Sequence, residues 1–157
     1  MFNADETGLF YHMQPGRSLH FRGERCTGGK QSKERISVLV GANMTGTAKL
    51  KLLVIGKSEK PRCFKNVKTL PVVYKNNTKA WMTSVIFVDW LKTLDKQFRN
   101  ENRHCALIVD NCPSHPNPCP FRLTNLTVYF LPKNTTSHAH NSRSQAQIPN
   151  RVHLLQT

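Results

Sequence analysis

Acidic residues are scarce in this sequence. Nine Asp and Glu residues stand against 23 Lys and Arg residues among 157, which gives a net charge of +14 and a pI near 10.0. So large an excess of one sign points to a polyanionic partner, because each phosphate that Lys or Arg contacts releases a bound counterion. It argues against an acidic enzyme that acts on small-molecule substrates.

Long hydrophobic runs are missing as well. The apolar runs, such as that near Leu52 to Ile55, fall far short of the ~20 residues that a membrane-spanning helix needs. The segment Met1 to Glu6 has neither the basic nor the apolar region of a signal peptide. We therefore expect no membrane partner and no secretion.

Closely spaced cysteine pairs are also lacking. The five cysteines are an odd number and contain no Cys-x-x-Cys pair, which is typical of a reducing compartment. Cys105, Cys112, His115 and Cys119 do lie within fifteen residues. Zinc sites usually contain paired ligands at short spacing, so this pattern favours free thiols over a zinc site.

Basic residues are concentrated in two stretches of the chain. Arg17 to Arg35 contains six basic and two acidic residues, and Lys49 to Lys79 contains nine basic residues and one acidic residue, Glu59. These stretches flank predicted strands. The pattern predicts a basic face on a sheet, although an ordinary solvated surface would also contain such lysines.

One helix stands out in the middle of the chain, from about Thr83 or Ser84 to Asn100. Its apolar residues recur every three or four positions, which places them on one helix face. These residues are Phe87, Trp90, Leu91, Leu94 and Phe98. A hydroxyl of Thr83 or Ser84 can cap the helix start by accepting a hydrogen bond from a free backbone N–H.

Strands are predicted on both sides of this helix. Residues 35–43 and 48–55 form a predicted hairpin joined by the turn 44–47, and a short strand is expected near Val72. Ala106 to Val109 is an unbroken apolar run, which favours a central parallel strand buried on both faces. A further strand is predicted at residues 126–131, and residues 2–4 are expected to be the last of a first strand. The order predicts an α/β fold with a sheet of mixed direction.

Two aspartates are candidate functional residues. Asp5 and Asp110 each follow an apolar strand and precede a predicted loop. Because ligands of open α/β sheets bind at the carboxyl ends of strands, both carboxylates would face one crevice if these strands are parallel neighbours. Oxygen ligands of this kind suit Mg²⁺, and paired ions can promote phosphoryl transfer. The alternative is that each aspartate only caps the loop after it.

Ordered motifs along the chain resemble those of one enzyme family. Residues 3–10 read NADETGLF, residues 80–84 read AWMTS, residues 107–115 read LIVDNCPSH and residues 130–137 read FLPKNTTS. Residues 33–39, 53–58 and 60–65 add further matches. In this order they resemble the DDE endonuclease domain of pogo/Tigger-type transposases and of their jerky-like and centromere-protein-B-like relatives.

The resemblance implies an RNase H-like fold and a reaction class. We expect an α/β domain at residues 1–137, with a mixed sheet, flanking helices and incomplete ends. Three antiparallel strands would precede the helix, and the fourth would lie beside the first. The family hydrolyses and transfers DNA strands with Mg²⁺ or Mn²⁺, so the resemblance makes Asp5 and Asp110 the catalytic metal ligands. His115 matches a position after the second aspartate, where loop packing is a better interpretation than a general base.

The sequence departs from the family after residue 137. A third aspartate is expected shortly beyond that point, yet the run from His138 to Gln147 contains no acidic residue, and Asp110 is the last carboxylate in the chain. Residues 138–157 are expected to be a divergent, disordered tail. We therefore predict a nuclear, DNA-binding domain that does not cleave. The alternatives are an active Mg²⁺-dependent endonuclease and a vestigial fragment without function.

Overall fold

The computed structural model of the protein describes residues 1–13, 34–117 and 121–132. The prediction for residues 138–157 lies outside these ranges, as does most of the basic stretch from Arg17 to Arg35. None of the helices in the described ranges is long and apolar enough to cross a membrane.

Six strands and one α-helix form the described part of the chain. The strands are β1 (Phe2–Leu9), β2 (Ile36–Asn43), β3 (Leu53–Gly56), β4 (Val73–Asn76), β5 (Cys105–Val109) and β6 (Leu126–Phe130). Helix α1 spans Ser84–Asn100, and a single 3₁₀ turn spans Arg62–Phe64.

The strands form one mixed sheet in the order β4-β3-β2-β1-β5-β6. β1, β2 and β3 pair antiparallel, whereas β5 lies parallel to both β1 and β6, and β4 lies parallel to β3. Three antiparallel strands therefore precede α1, and the strand after the helix returns beside β1. This is the topology that we expected for an RNase H-like α/β domain.

Helix α1 covers one face of the sheet. Thr83 caps the helix by accepting a hydrogen bond from the Ile86 N–H at 3.4 Å. The five apolar residues predicted to share a helix face are all buried, and they pack against Phe2, Ala4, Leu107 and Val109 of the sheet. Burial of each large side chain contributes about 1.5–3 kcal/mol, so this interface is the main hydrophobic core.

The first strand is longer than the sequence suggested. β1 continues to Leu9, because its antiparallel pairing with β2 extends without interruption from Phe2–Asn43 to Leu9–Ile36. The prediction that the strand ends at Ala4 is therefore wrong, and Asp5 lies inside a strand. The eight-residue β2 supplies backbone hydrogen-bond partners that a local hydrophobicity pattern cannot reveal.

The predicted hairpin between β2 and β3 contains an irregularity. Ala42 bridges to Lys49, but regular pairing resumes only at Leu39 with Leu53. Three steps along β2 (42 to 39) therefore oppose four along the other strand (49 to 53), which is the pattern of a β-bulge. For this reason β3 begins at Leu53 rather than at the predicted Ala48.

Asp95 is buried in this core, although it is charged. Its Oδ1 accepts hydrogen bonds from three consecutive backbone N–H groups, those of Thr124, Asn125 and Leu126, at 2.8–3.0 Å. Its Oδ2 accepts from Arg99 at 2.7 Å and from the Thr124 hydroxyl at 3.1 Å. Burial by itself raises the pKa of this carboxyl, but these hydrogen bonds outweigh it and hold the pKa below its ordinary value. Asp95 thus ties the start of β6 to α1.

We predict that Asp95→Ala lowers the free energy of unfolding by about 3–5 kcal/mol, because it removes the acceptor of three backbone N–H groups, of which that of Leu126 is buried. Asp89→Ala is the matched control on the same helix. Asp89 is exposed and, within the described part of the chain, forms an ion pair only with Lys75, at 2.6 Å, so its loss should cost at most about 1 kcal/mol. Urea denaturation measures both values, and equal losses would contradict the role of Asp95.

The Asp95 contribution should also depend on pH. Since the folded-state pKa lies below the ordinary value of 3.8, the stabilisation is complete above that value. It is lost as the pH falls through the lower folded-state pKa. The stability advantage of the native chain over Asp95→Asn should therefore shrink on acidification below about pH 4. An advantage that grows on acidification would contradict this assignment.

Candidate active site

The parallel pairing of β1 and β5 determines where the two candidate aspartates lie. Phe2 pairs with Leu107 and Asn3 pairs with Ile108. Continued by two residues on each strand, this register aligns Asp5 with Asp110. Asp110 follows the last residue of β5, as predicted, and neighbouring strands lie about 4.8 Å apart. The fold thus places the two residues at corresponding positions on adjacent parallel strands.

Asp5 and the next residue face different sides of the sheet. Ala4 is part of the core beneath α1, so the alternation of side chains along a strand directs Asp5 to the opposite face and Glu6 to the helix side. Asp5 is partly buried, and its Oδ1 accepts a hydrogen bond from the Glu6 N–H at 2.9 Å.

His115 connects Glu6 to Asp110. Its ring is 3% exposed and stacks on Phe87 of α1 with the ring centroids 4.0 Å apart. Nε2 lies 2.8 Å from Oε1 of Glu6. Nδ1 lies 3.2 Å from the backbone oxygen of Asp110 and 2.7 Å from its carboxylate Oδ1. The packing role expected for His115 is thus accompanied by contacts with two carboxylates.

These contacts favour the charged form of His115. Both ring nitrogens face oxygen atoms, so each must carry a proton to donate. Burial disfavours the imidazolium, but the hydrogen bond and charge of Glu6, with those of Asp110, raise the pKa of His115 above its ordinary value. The position of His115 between the carboxylates of Glu6 and Asp110 therefore favours its protonated form.

Three potential metal ligands converge within the described ranges: Asp110, Cys112 and His115, with ligand atoms within 4.8 Å of one another. Asp5 is not a member of this group. The Cys112 thiol lies 2.9 Å from the Ser114 hydroxyl, and burial raises its pKa, so it remains protonated at neutral pH. Cys105 is buried within β5 and does not belong to this group, and Cys119 lies outside the described residues.

Asp110 supplies the oxygen atoms of this group. Oδ1 of Asp110 is buried and receives no well-directed hydrogen bond from the residues that the structure describes, even though the His115 ring is close. The side chain of Asp110 is nevertheless 24% exposed, which leaves access from solvent. Mg²⁺ and Mn²⁺ prefer carboxylate oxygens, whereas zinc prefers thiolate and imidazole ligands. Here the thiol contacts the Ser114 hydroxyl, and the imidazole is engaged by Glu6.

Sequence reasoning did not assign the pair formed by Glu6 and His115. Both residues occur in the quoted motifs, yet they are 109 residues apart, and no local pattern links them. The sequence signal for this pair was the presence of a second carboxylate, Glu6, directly after Asp5. Its partner could be identified only once β1 and β5 were known to be parallel neighbours.

The sheet topology and the motifs point to the DDE endonuclease family, and a comparison with protein families agrees with this assignment. The family model described as "DDE superfamily endonuclease" matches residues 33–145. The chain belongs to this family, and the resemblance inferred from the motifs is confirmed. The matched segment contains Asp110 and His115 and begins after β1.

Particular relatives place the chain in the transposase-derived branch of the family. It is 49% identical over 116 residues to mouse (Mus musculus) Tigger transposable element-derived protein 4. This alignment covers 74% of the present chain and 23% of the mouse protein. It is 37% identical over 146 residues to the human Jerky protein homolog, covering 87% and 26%. It is 36% identical over 112 residues to human Major centromere autoantigen B, covering 69% and 18%.

The chain thus spans about a quarter or less of the length of these relatives. No solved structure matches it. The RNase H-like arrangement therefore depends on the sheet topology and on the family assignment.

We predict that His115→Ala lowers the free energy of unfolding by about 2–4 kcal/mol. The change opens a cavity against Phe87 and removes the ring nitrogens that contact Glu6 and Asp110. His104→Ala is the control, because His104 is exposed and should cost less than about 0.5 kcal/mol. Chemical denaturation compares the two variants, and a neutral His115→Ala would refute the bridging role.

Proposed function

We propose that this chain is a nuclear, DNA-binding domain of a transposase-derived protein, that it retains a divalent-cation site at Asp5 and Asp110, and that it does not cleave DNA. The observation that supports DNA binding most strongly is the distribution of positive charge around β3 and β4. The names of two relatives, one derived from a transposable element and one a centromere autoantigen, agree with DNA and with the nucleus.

The basic stretch from Lys49 to Lys79 remains available to a polyanion. Eight of its nine basic residues are exposed, and Lys75 is partly buried. Among the described residues, only Lys75 of this set forms an ion pair, with Asp89. Within the described ranges, eight positive charges are therefore not paired with a carboxylate, and phosphate groups can occupy that role.

The cation site would be formed by Asp5 and Asp110. A divalent cation bound there would supply Lewis-acid activation of a phosphodiester. Glu6 holds the His115 ring, and His115 in turn holds Asp110 in place at the end of β5. The His115 ring lies 2.7 Å from Oδ1 of Asp110, and that oxygen is buried.

The absence of cleavage follows from the number of carboxylates. After Asp110 the sequence contains no Asp or Glu, so the third acidic ligand of the family has no counterpart in this chain. With one negative charge fewer, a paired-ion arrangement is weakened. DNA binding does not depend on that ligand, because phosphate contacts come from Lys and Arg.

We predict that the full chain binds duplex DNA with a steep dependence on salt. Lys57→Gln/Lys60→Gln should reduce the slope of log K against log salt by up to about 1.8, because each lost phosphate contact removes about 0.9. Lys96→Gln, on the exposed surface of α1, is the control and should leave the slope unchanged. Fluorescence anisotropy at several KCl concentrations measures the slopes.

Two outcomes would contradict the proposal. A folded protein that fails to bind duplex DNA even at low salt would exclude the DNA-binding function. Nicking of supercoiled plasmid in Mg²⁺ or Mn²⁺ that disappears in Asp110→Asn would show that the chain is an active endonuclease.

A further inference from the structure

We propose that the exposed indole of Trp81, stacked on Arg35, is a binding site for an unpaired nucleobase at the edge of the candidate active site. The proposal rests on the DNA-binding function proposed above and adds the class of ligand that this site accepts. It does not involve the two aspartates or the basic residues around β3 and β4.

Trp81 is held by a network of hydrogen bonds in the loop before α1. Oδ1 of Asn77 accepts hydrogen bonds from the N–H groups of Lys79 and Trp81, at 3.0 and 3.2 Å, and its Nδ2 donates to the Trp81 carbonyl. The Ser37 hydroxyl donates to the Ala80 carbonyl at 2.7 Å from within the sheet. The backbone on both sides of the indole is therefore fixed to β2 and to Asn77.

The loop also contains an unfavourable backbone conformation. Ala80 has a φ of +51° and is completely buried. A left-handed conformation costs a residue with a Cβ of order 1 kcal/mol, and it persists only where the surrounding contacts impose it. Such residues are concentrated at ligand-binding positions. Here the strained residue directly precedes an exposed aromatic side chain.

The indole is largely exposed and lies against one cationic side chain. Trp81 is 55% exposed, whereas Trp90, the other tryptophan, is 8% exposed. The Arg35 guanidinium lies 4.0 Å from the centroid of the Trp81 ring and 5.9 Å from that of Phe10. A planar cation stacked on an aromatic ring is a rigid, positively charged platform.

A nucleobase is the ligand whose chemistry fits this platform. Aromatic rings bind bases by stacking, without preference for sequence, and an adjacent arginine can contact the phosphate of the same nucleotide. The excess of 14 positive charges on the chain favours a polyanion over a neutral apolar partner. A base within a duplex presents no free face, so the site would select unpaired nucleotides.

The platform lies close to the candidate active site along the sheet. Arg35 directly precedes β2, where Ser37 pairs with Gly8 of β1. Gly8 is three residues from Asp5, which corresponds to about 10 Å along a strand. A few nucleotides of a single strand can span this distance, so a base on Trp81 would hold a strand end beside β1, the strand that contains Asp5.

The test compares two DNA ligands with the full chain: a duplex with a short single-stranded overhang and the same duplex with an abasic overhang. The native chain should bind the normal overhang about tenfold more tightly, as expected for one stacked base. Trp81→Ala should abolish this preference and leave the affinity for the abasic ligand unchanged. Trp81→Phe should retain most of the preference.

Tyr129→Ala is the matched control. Tyr129 is an aromatic residue of similar exposure, 57%, on the edge strand β6, and its removal should leave the preference intact. In the native chain, the overhang should also quench the fluorescence of Trp81 more than the abasic ligand does, because Trp90 is buried.

A preference for the normal overhang that persists in Trp81→Ala would overturn the stacking site while leaving DNA binding in place. An equal loss for both ligands in this variant would also overturn it, since that result indicates a general electrostatic or structural effect. Failure of the native chain to bind either ligand would overturn the proposed function and this site together.

Discussion

The parallel pairing of β1 with β5 is the constraint on which the candidate site depends. It joins residues about a hundred positions apart, and its register determines which side chains meet at the end of β5. Asp5 is aligned with Asp110, while Glu6, one residue further and on the other face of β1, reaches His115. A shift of one residue in this register would move every side chain of β1 to the opposite face of the sheet. Both the alignment of Asp5 with Asp110 and the contact of Glu6 with His115 would then be lost.

Two buried ionic groups fix the elements around that pairing. His115 joins the end of β5 to β1 and to α1, and Asp95 joins α1 to the start of β6. In each case a charge removed from water is compensated by several hydrogen bonds or by an opposite charge, as burial requires. These contacts are specific in direction, whereas the hydrophobic interface beneath α1 would tolerate other arrangements.

The sequence was sufficient for elements with strong local patterns and insufficient for those that depend on distant partners. The helical spacing from Phe87 to Phe98 and the apolar run before Asp110 predicted α1 and β5. The length of β1 and the bulge before Leu53 depend on pairing with β2, so local hydrophobicity gave the wrong ends. The contact between Glu6 and His115 and the platform at Trp81 arise only after the strands assemble.

The most direct test of this account is a calorimetric titration of the full chain with Mn²⁺. The account predicts saturable binding that is lost in Asp5→Asn and in Asp110→Asn but retained in Asp89→Asn, which changes an exposed carboxylate on α1. Equal binding by all four proteins, or no binding by the folded native chain, would contradict the claim that β1 and β5 together form a divalent-cation site.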